Sequence, residues 1–354
     1  MRPHRRFPID DVSQVGEARR AAQALAAELG FDEEAAGRLA LAVTELGTNL
    51  VRHVGPGRQA ELLIGPDAVR GPDPAPALQV LALDRGDGMD LERCLRDGYS
   101  TGGSSGTGLG AIRRQADRFG AFSAPGRGTV IATRFAVRGE RSTVPPRPPA
   151  FDIAGLSLAA PGESVSGDAW ALRRDGAQWS LALADGLGHG PEAALAADRL
   201  MALLDEATPG LLASPAGFLD SAHEPLRSTR GCAAAMVSLG EGGAPLRFGG
   251  AGNITGRLIS GVADRSLMSQ HGTLGMQVRR LQDVVYDWPP HAVLVLHSDG
   301  IVSRWSLAET PGLLQADPAV IAGWIARDHL RGRDDATVVV ARRHEGQLGQ
   351  LERA

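Results

Sequence analysis

The sequence predicts an α+β protein of two folded units, an N-terminal α/β sandwich and a C-terminal β-sandwich flanked by helices. Three observations carry that reading. The first ~138 residues open with two long helical patterns and continue as short apolar runs, without a regular strand–helix alternation. Beyond residue 150 the chain reads mostly as strands interrupted by three helical stretches. Between them lies R-G-E-R-S-T-V-P-P-R-P-P-A, residues 138–150, whose four prolines (Pro145, Pro146, Pro148, Pro149) suit an extended, semi-rigid spacer. The units are therefore expected at 1–138 and 150–343, with a proline-rich linker at 139–149 and a short polar tail at 344–354.

In the first unit, residues 12–29 are Ala-rich with few breakers and predict a helix. Asp32 can cap a second helix carrying Glu33 and Glu34 in its first turn, which suits the helix dipole. Leu39, Val43, Leu46 and Leu50 keep helical spacing to about residue 53. E-L-L-I-G and L-Q-V-L-A-L-D then read as strands. A Gly/Ser-rich loop, a helix over about 109–119 and a strand over 129–137 complete the unit. The second unit offers seven strand-like runs, from I-A-G-L-S-L-A to A-T-V-V-V-A-R, with helices expected over 191–207, 216–227 and 318–329.

Composition narrows the function. Hydrophobic residues make up 43% and charged residues 22%, an ordinary globular balance. The net charge of −4 supplies no basic field for nucleic acid or an anionic membrane. All 37 basic residues are Arg, so a Walker-A lysine, a protein-kinase strand lysine and a pyridoxal Schiff base are excluded. Cys94 and Cys232 stand far apart with no metal-ligand spacing, and no Arg follows either at the sixth position, so a cysteine-based phosphatase loop is excluded too. No apolar signal segment or membrane-length run is present. A cytoplasmic protein is the expectation.

Four features of the first unit follow in order. Glu45 and Asn49 lie four residues apart on one helix face. D-R-G-D-G-M, beginning at Asp84, ends an apolar strand; G-G-S-S-G-T-G-L-G, residues 102–110, enters a helix; and G-R-G-T ends at Thr129. A strand-end carboxylate such as Asp84 can accept from the exocyclic amine of a base, while Gly86 and Gly88 permit close backbone approach. Gly106, Gly108 and Gly110 can present backbone amides to phosphates. The Asn49 amide oxygen is a hard ligand suited to Mg²⁺. Glu45, one turn earlier, can take a proton from an attacking hydroxyl. G-T-G-L-G-A also fits a dinucleotide fingerprint, but no strand directly precedes it and 118–139 holds no acid. The pattern points to an ATP pocket built without a P-loop.

E-L-G-T-N-L-V-R-H, D-R-G-D-G-M and S-T-G-G-S-S-G-T-G-L-G-A-I-R-R resemble the N, G1 and G2 boxes of Bergerat-fold (GHKL) ATPases, most similarly those of anti-sigma-factor and RsbT-like switch kinases. The resemblance covers residues 7–137. It implies Asn49 on Mg²⁺, Asp84 on adenine, the glycines and Thr129 around the nucleotide, and Glu45 as base for phosphorylating a STAS-type antagonist protein. A sigma factor or switch protein as partner and a homodimer are further possibilities it brings.

The second unit places acids after apolar strands in four motifs: S-G-D-A-W (Asp168), L-A-D-G-L-G-H-G (Asp185), L-H-S-D-G-I (Asp299) and G-R-D-D-A-T (Asp334, Asp335). Any one alone is a good turn former. Gathered, they would repel unless they enclosed cations, and an all-oxygen set suits Mg²⁺ or Mn²⁺. A two-metal site of that kind hydrolyses phosphoryl groups without a covalent nucleophile. The motifs resemble the SpoIIE/RsbX branch of metal-dependent Ser/Thr phosphatases across about 150–343. That resemblance implies Asp185 bridging two metals, the Gly186 carbonyl beside it, and Asp168, Asp299 and Asp334 completing the shells. His189 reads as loop-shaping, Asn253 as a hairpin residue and Arg230 as a surface residue. The implied whole is a regulator that dephosphorylates a STAS-type phosphoprotein and binds ATP. Two rivals keep the same motifs: a nucleotide sensor gating the phosphatase, and a non-catalytic anti-sigma-like binding module.

Overall fold

The computed structural model describes residues 2–55, 57–67, 76–95, 108–137 and 150–344. Gly106, the expected linker and the tail beyond residue 344 lie outside the described residues. The N-terminal half runs β1 (Arg5–Pro8), α1 (Val12–Glu28), α2 (Glu33–His53), β2 (Ala60–Pro66), β3 (Ala77–Asp84), α3 (Leu91–Cys94), α4 (Leu109–Gln115), β4 (Arg118–Ala124) and β5 (Gly128–Ala136). Asp11 and Gln14 close a capping box at the start of α1. Asp32 caps α2, its carboxylate accepting the Ala35 N–H at 2.7 Å. The five strands form one antiparallel sheet in the order β1-β2-β3-β5-β4. Leu62, Ile64, Leu78, Val80 and Ala82 point from one face into a core with α1 and α2.

The helix expected over 109–119 stops at Gln115, and Arg118 begins β4. Two side chains fix that switch. Arg38 donates to the Gln115 carbonyl at 2.6 Å, and Asp117 accepts the Ala136 N–H at 2.7 Å, drawing the following residues into register with β5. Strands β1 and β4, both at sheet edges, carry too little apolar alternation to read from sequence.

The C-terminal half comprises β6 (Phe151–Leu158), β7 (Asp168–Asp175), β8 (Gln178–Gly186), α5 (Pro191–Glu206), α6 (Pro209–Ala213), α7 (Pro215–Leu226), β9 (Cys232–Gly240), β10 (Leu246–Ala251), β11 (Thr255–Ile259), β12 (Asp264–Leu267), β13 (Gly272–Thr273), β14 (Gln277–Val278), β15 (Val284–Tyr286), β16 (Val293–His297), α8 (Pro318–His329) and β17 (Ala336–Arg343). Two five-stranded antiparallel sheets, β15-β10-β9-β8-β7 and β12-β11-β16-β17-β6, face one another across Trp170, Leu183, Phe248, Leu294 and Val339. Helices α5 and α7 cover the outer face of the first sheet. The two-sheet sandwich flanked by helices is thus present as expected.

Helix α8 has two partners. It covers the outer face of the second sheet through Leu156, Val338 and Val340, and its other side meets Leu63, Leu81, Leu83, Val130 and Ala132 on the second face of the N-terminal sheet. Every residue from Pro318 to Arg327 is buried. Gly323 allows this contact, because a Cβ there would stand 2.8 Å from the Leu81 side chain. The halves are also tied by Arg118, which bridges Asp152 and Asp317, and by the His4 N–H, which donates to the Ser157 carbonyl at 2.7 Å. Among the described residues, no helix is long and apolar enough to cross a membrane.

His4 makes this junction sensitive to acid. Its ring is buried between Gln79 Oε1 at 2.9 Å and the Ser157 N–H, and burial lowers its pKa from 6.5 to about 4. The unfolded chain therefore binds this proton more readily, so stability present above pH ~6.5 is lost as pH falls towards 4. His297 is depressed to about 4 by burial as well and acts over the same window. His4→Gln is expected to flatten the fall in Tm between pH 6.5 and 4 by a few degrees, read by thermal melts. An unchanged slope would show that His4 does not titrate across unfolding.

Candidate functional site

A cavity of about 380 Å³ opens between α2, the end of β3 and the start of α4. Glu45, Asn49, Asp84, Gly86, Gly88, Gly108 and Thr129 all line it, together with Met89, Leu109 and Ile131. Gly110 lies buried in the first turn of α4, just behind this lining. Glu45 and Asn49 are half-buried, one helical turn apart on the inward face of α2. Asp84 ends β3, and its Oδ1 accepts the Gly86 N–H at 2.7 Å. Burial raises its carboxyl pKa, offset in part by the Gly86 and Thr129 backbone amides and then by Arg327. Gly88 adopts φ +79°, and a Cβ would lie 2.5 Å from the Ala124 carbonyl, so the turn after Asp84 requires glycine there. The result is a slot of mixed polar and apolar lining, with one buried carboxylate and a carboxylate–amide pair among its walls.

The second assembly sits at one end of the C-terminal sandwich. Asp168 begins β7 and Asp185 lies directly opposite it on β8, so both side chains leave the same sheet face. Asp299 follows β16, and Asp334 and Asp335 precede β17. The Asp185 carboxyl is raised by burial and then by the charges of Asp168, Asp299, Asp334 and Asp335, which brings all the acids of the four motifs into one electrostatic neighbourhood. Asp168 is raised by burial as well. Gly186 is buried, with its N–H on the Gly167 carbonyl at 3.0 Å.

The two neighbouring aspartates differ in occupation. Both Asp335 oxygens are taken by backbone, from Ala160 N–H at 2.8 Å and Gly167 N–H at 2.7 Å. Asp334 spends Oδ1 on the Asp335 N–H at 2.9 Å, leaving its second oxygen outside that turn. Gly300 holds the turns together, because a Cβ would meet the Asp335 carbonyl at 2.0 Å.

Asp168 Oδ2 accepts from Ser298 Oγ at 2.5 Å, but its Oδ1 is buried with no hydrogen-bond partner. An orphaned carboxylate oxygen facing further acids suits a divalent cation and is costly otherwise. Among the described residues, no three His, Cys, Asp or Glu side chains already converge on one point at ligating distance. Binding would therefore draw the flanking side chains inward. Cys232 stands across the strand pair from Gly186, and burial pushes its thiol up to about 12, so it supplies no thiolate.

Several groups escape a reading of sequence. Ser298 links Asp168 to the Thr337 N–H at 2.9 Å, and Thr337 Oγ1 donates onward to Ser157 Oγ at 2.9 Å. Asn253, read as a hairpin residue, donates its amide to Asp299 Oδ2 at 2.8 Å. His189 Nδ1 pairs with Glu163 Oε1 at 2.9 Å at the mouth of the D-G-L-G-H-G loop. None lies in a spacing pattern with its partner; only the position of Ser298 beside Asp299 was a signal.

Two families match the chain in succession. The histidine kinase-like ATPase domain matches residues 9–135, and stage II sporulation protein E (SpoIIE) matches residues 175–344. The serine/threonine-protein kinase RsbT of Bacillus subtilis (strain 168) is 35% identical over 115 residues, which is 32% of this chain and 82% of that protein. Among solved structures, a chain described as part of the bacterial stressosome, a modular system adapted to control secondary messenger signalling, aligns at TM-score 0.49. It is 28% identical over 54% of this chain and 99% of its own. RsbX in complex with magnesium aligns at TM-score 0.44 and 16% identity, over 55% of this chain and 96% of its own.

Proposed function

The chain belongs to the RsbT-like family of histidine kinase-like ATPases and carries a SpoIIE domain behind its ATPase domain, and from that premise we propose that it is a partner-switching regulator that removes phosphate from serine or threonine of a STAS-type protein. The observation that carries this reading is the buried, partnerless Oδ1 of Asp168, set across one strand pair from Asp185 among three more aspartates. Asp168, Asp185, Asp299, Asp334 and the Gly186 carbonyl would hold two Mn²⁺ or Mg²⁺ ions. Such ions supply activated water and charge neutralisation for in-line attack on a phosphoryl group. The residues do the rest: Ser298 orients Asp168, Asn253 orients Asp299, and Asp335 pins the loops at Ala160 and Gly167. Hydrolysis of a small aryl phosphate that depends on Mn²⁺ and stops with chelator tests the reading; a folded chain with no turnover counts against it.

The N-terminal pocket supports adenine nucleotide binding, in which Asp84 would meet the base amine, Asn49 the Mg²⁺, and the backbone of Gly86, Gly88, Gly108 and Gly110 the base and phosphates, with Thr129 beside Asp84. Glu45 on the pocket wall would accept the hydroxyl proton of a serine or threonine if the pocket phosphorylates an antagonist protein, a reading supported by its position in the lining. The second reading is a nucleotide sensor that gates hydrolysis, and it is favoured by α8, which packs on both sheets. Glu45→Ala separates them. A kinase is expected to lose ~100-fold or more in phosphate transfer while keeping its ATP affinity, and a sensor keeps its response of aryl phosphate hydrolysis to ATP.

A further inference from the structure

The nucleotide pocket is buttressed from behind by a group that no motif of the N-terminal half supplies. Arg327, near the end of α8, reaches across the junction and donates through Nη1 to the backbone carbonyl of Asp84 at 2.6 Å. That carbonyl belongs to the last residue of β3, beyond the Leu83–Val130 pair that ends the ladder to β5. A buried carbonyl at a strand end needs a donor from elsewhere. The guanidinium is itself held rigidly: Nε and Nη2 donate to the two Asp328 oxygens at 2.9 and 3.0 Å, and the group lies 3.8 Å over the Trp324 ring. Arg85, the residue after Asp84, returns the contact by donating to the Arg327 carbonyl at 2.6 Å and pairing with Asp328 at 3.1 Å.

We propose that Arg327 is a positioning residue of the adenine pocket contributed by the SpoIIE domain, so that recognition of the base by Asp84 depends on a helix of the other domain. The proposal rests on the reading of Asp84 as the group that meets the exocyclic amine. Arg327 does not line the cavity; it acts by fixing the backbone from which the Asp84 carboxylate projects. An adenine amine offers its two hydrogens only in narrow directions within the plane of the base, so a shift of the Asp84 backbone weakens that bond before it weakens contacts to the phosphates.

The test is binding of ATP and of inosine triphosphate, which carries a carbonyl where adenine has its amine, to the full chain and to Arg327→Gln and Arg327→Lys. Wild type is expected to prefer ATP. Arg327→Gln is expected to lose about 10-fold in ATP affinity with little change for inosine triphosphate, so the preference collapses, and Arg327→Lys recovers part of it. Should Arg327→Gln fail to fold, Asp328→Asn releases the guanidinium from its clamp and is expected to narrow the preference in the same direction by a smaller factor. Equal loss for both nucleotides, or no loss in a folded variant, overturns the proposal. A wild type that binds ATP without preferring it over inosine triphosphate overturns the Asp84 reading instead, and with it the proposal.

Discussion

Asp185→Asn is expected to lower Mn²⁺-dependent hydrolysis of an aryl phosphate by ~10³-fold or more while ATP binding stays unchanged. Asp185 is the acid whose carboxyl feels the charges of the other four, and it lies directly opposite Asp168, one of whose oxygens has no hydrogen-bond partner. Asn preserves shape but offers no anionic oxygen to bridge cations. Stability is expected to move the opposite way in chelator. Burial and like charges raise the Asp185 and Asp168 carboxyls, so the folded chain binds protons more readily than the unfolded one. Metal-free stability therefore falls as pH climbs from the ordinary carboxylate range near ~4 towards those raised values. Asp185→Asn lessens that fall, and Mn²⁺ does the same for wild type. Activity surviving in the variant, or ATP binding lost along with it, would contradict two separate sites with Asp185 at the centre of one.

Asp84→Asn is expected to weaken ATP binding by ~100-fold, the scale for losing a buried hydrogen bond to a charged group. The amide oxygen can still accept the Gly86 N–H that holds the turn at 2.7 Å in wild type. Its NH₂ then faces the base amine, donor against donor, where the carboxylate accepted. Because the aspartates of the second site stand in the other half of the chain, Mn²⁺-dependent turnover measured without nucleotide is expected to persist. Calorimetric titration checks the first result and the aryl phosphate assay the second. Tight ATP binding by the variant would remove Asp84 from base recognition.

The legible parts of this molecule are those whose causes are local. Helix α2 could be read because Asp32, two acids in the first turn and an apolar stripe all agree. The run L-Q-V-L-A-L-D could be read as a strand, and the structure buries all eight residues of β3, on both of its faces. What covers the second face could not be read, because α8 lies more than 200 residues further on. The same limit explains the helix extended too far at Gln115: residues 116–119 suit either state, and pairing with β5 decided it.

By itself the sequence determined the order of the nucleotide boxes, the four acidic motifs at strand ends and the two-sheet architecture, since each is encoded by residue type at short spacing. Only the tertiary structure decided that Asp168 faces Asp185, that both Asp335 oxygens are spent on backbone amides while Asp334 is less committed, and that Arg327 fastens the Asp84 carbonyl. Those contacts join segments tens to hundreds of residues apart. They are chosen by packing of whole sheet faces and by the cost of leaving a buried polar group unpaired, and neither leaves a local trace in the sequence.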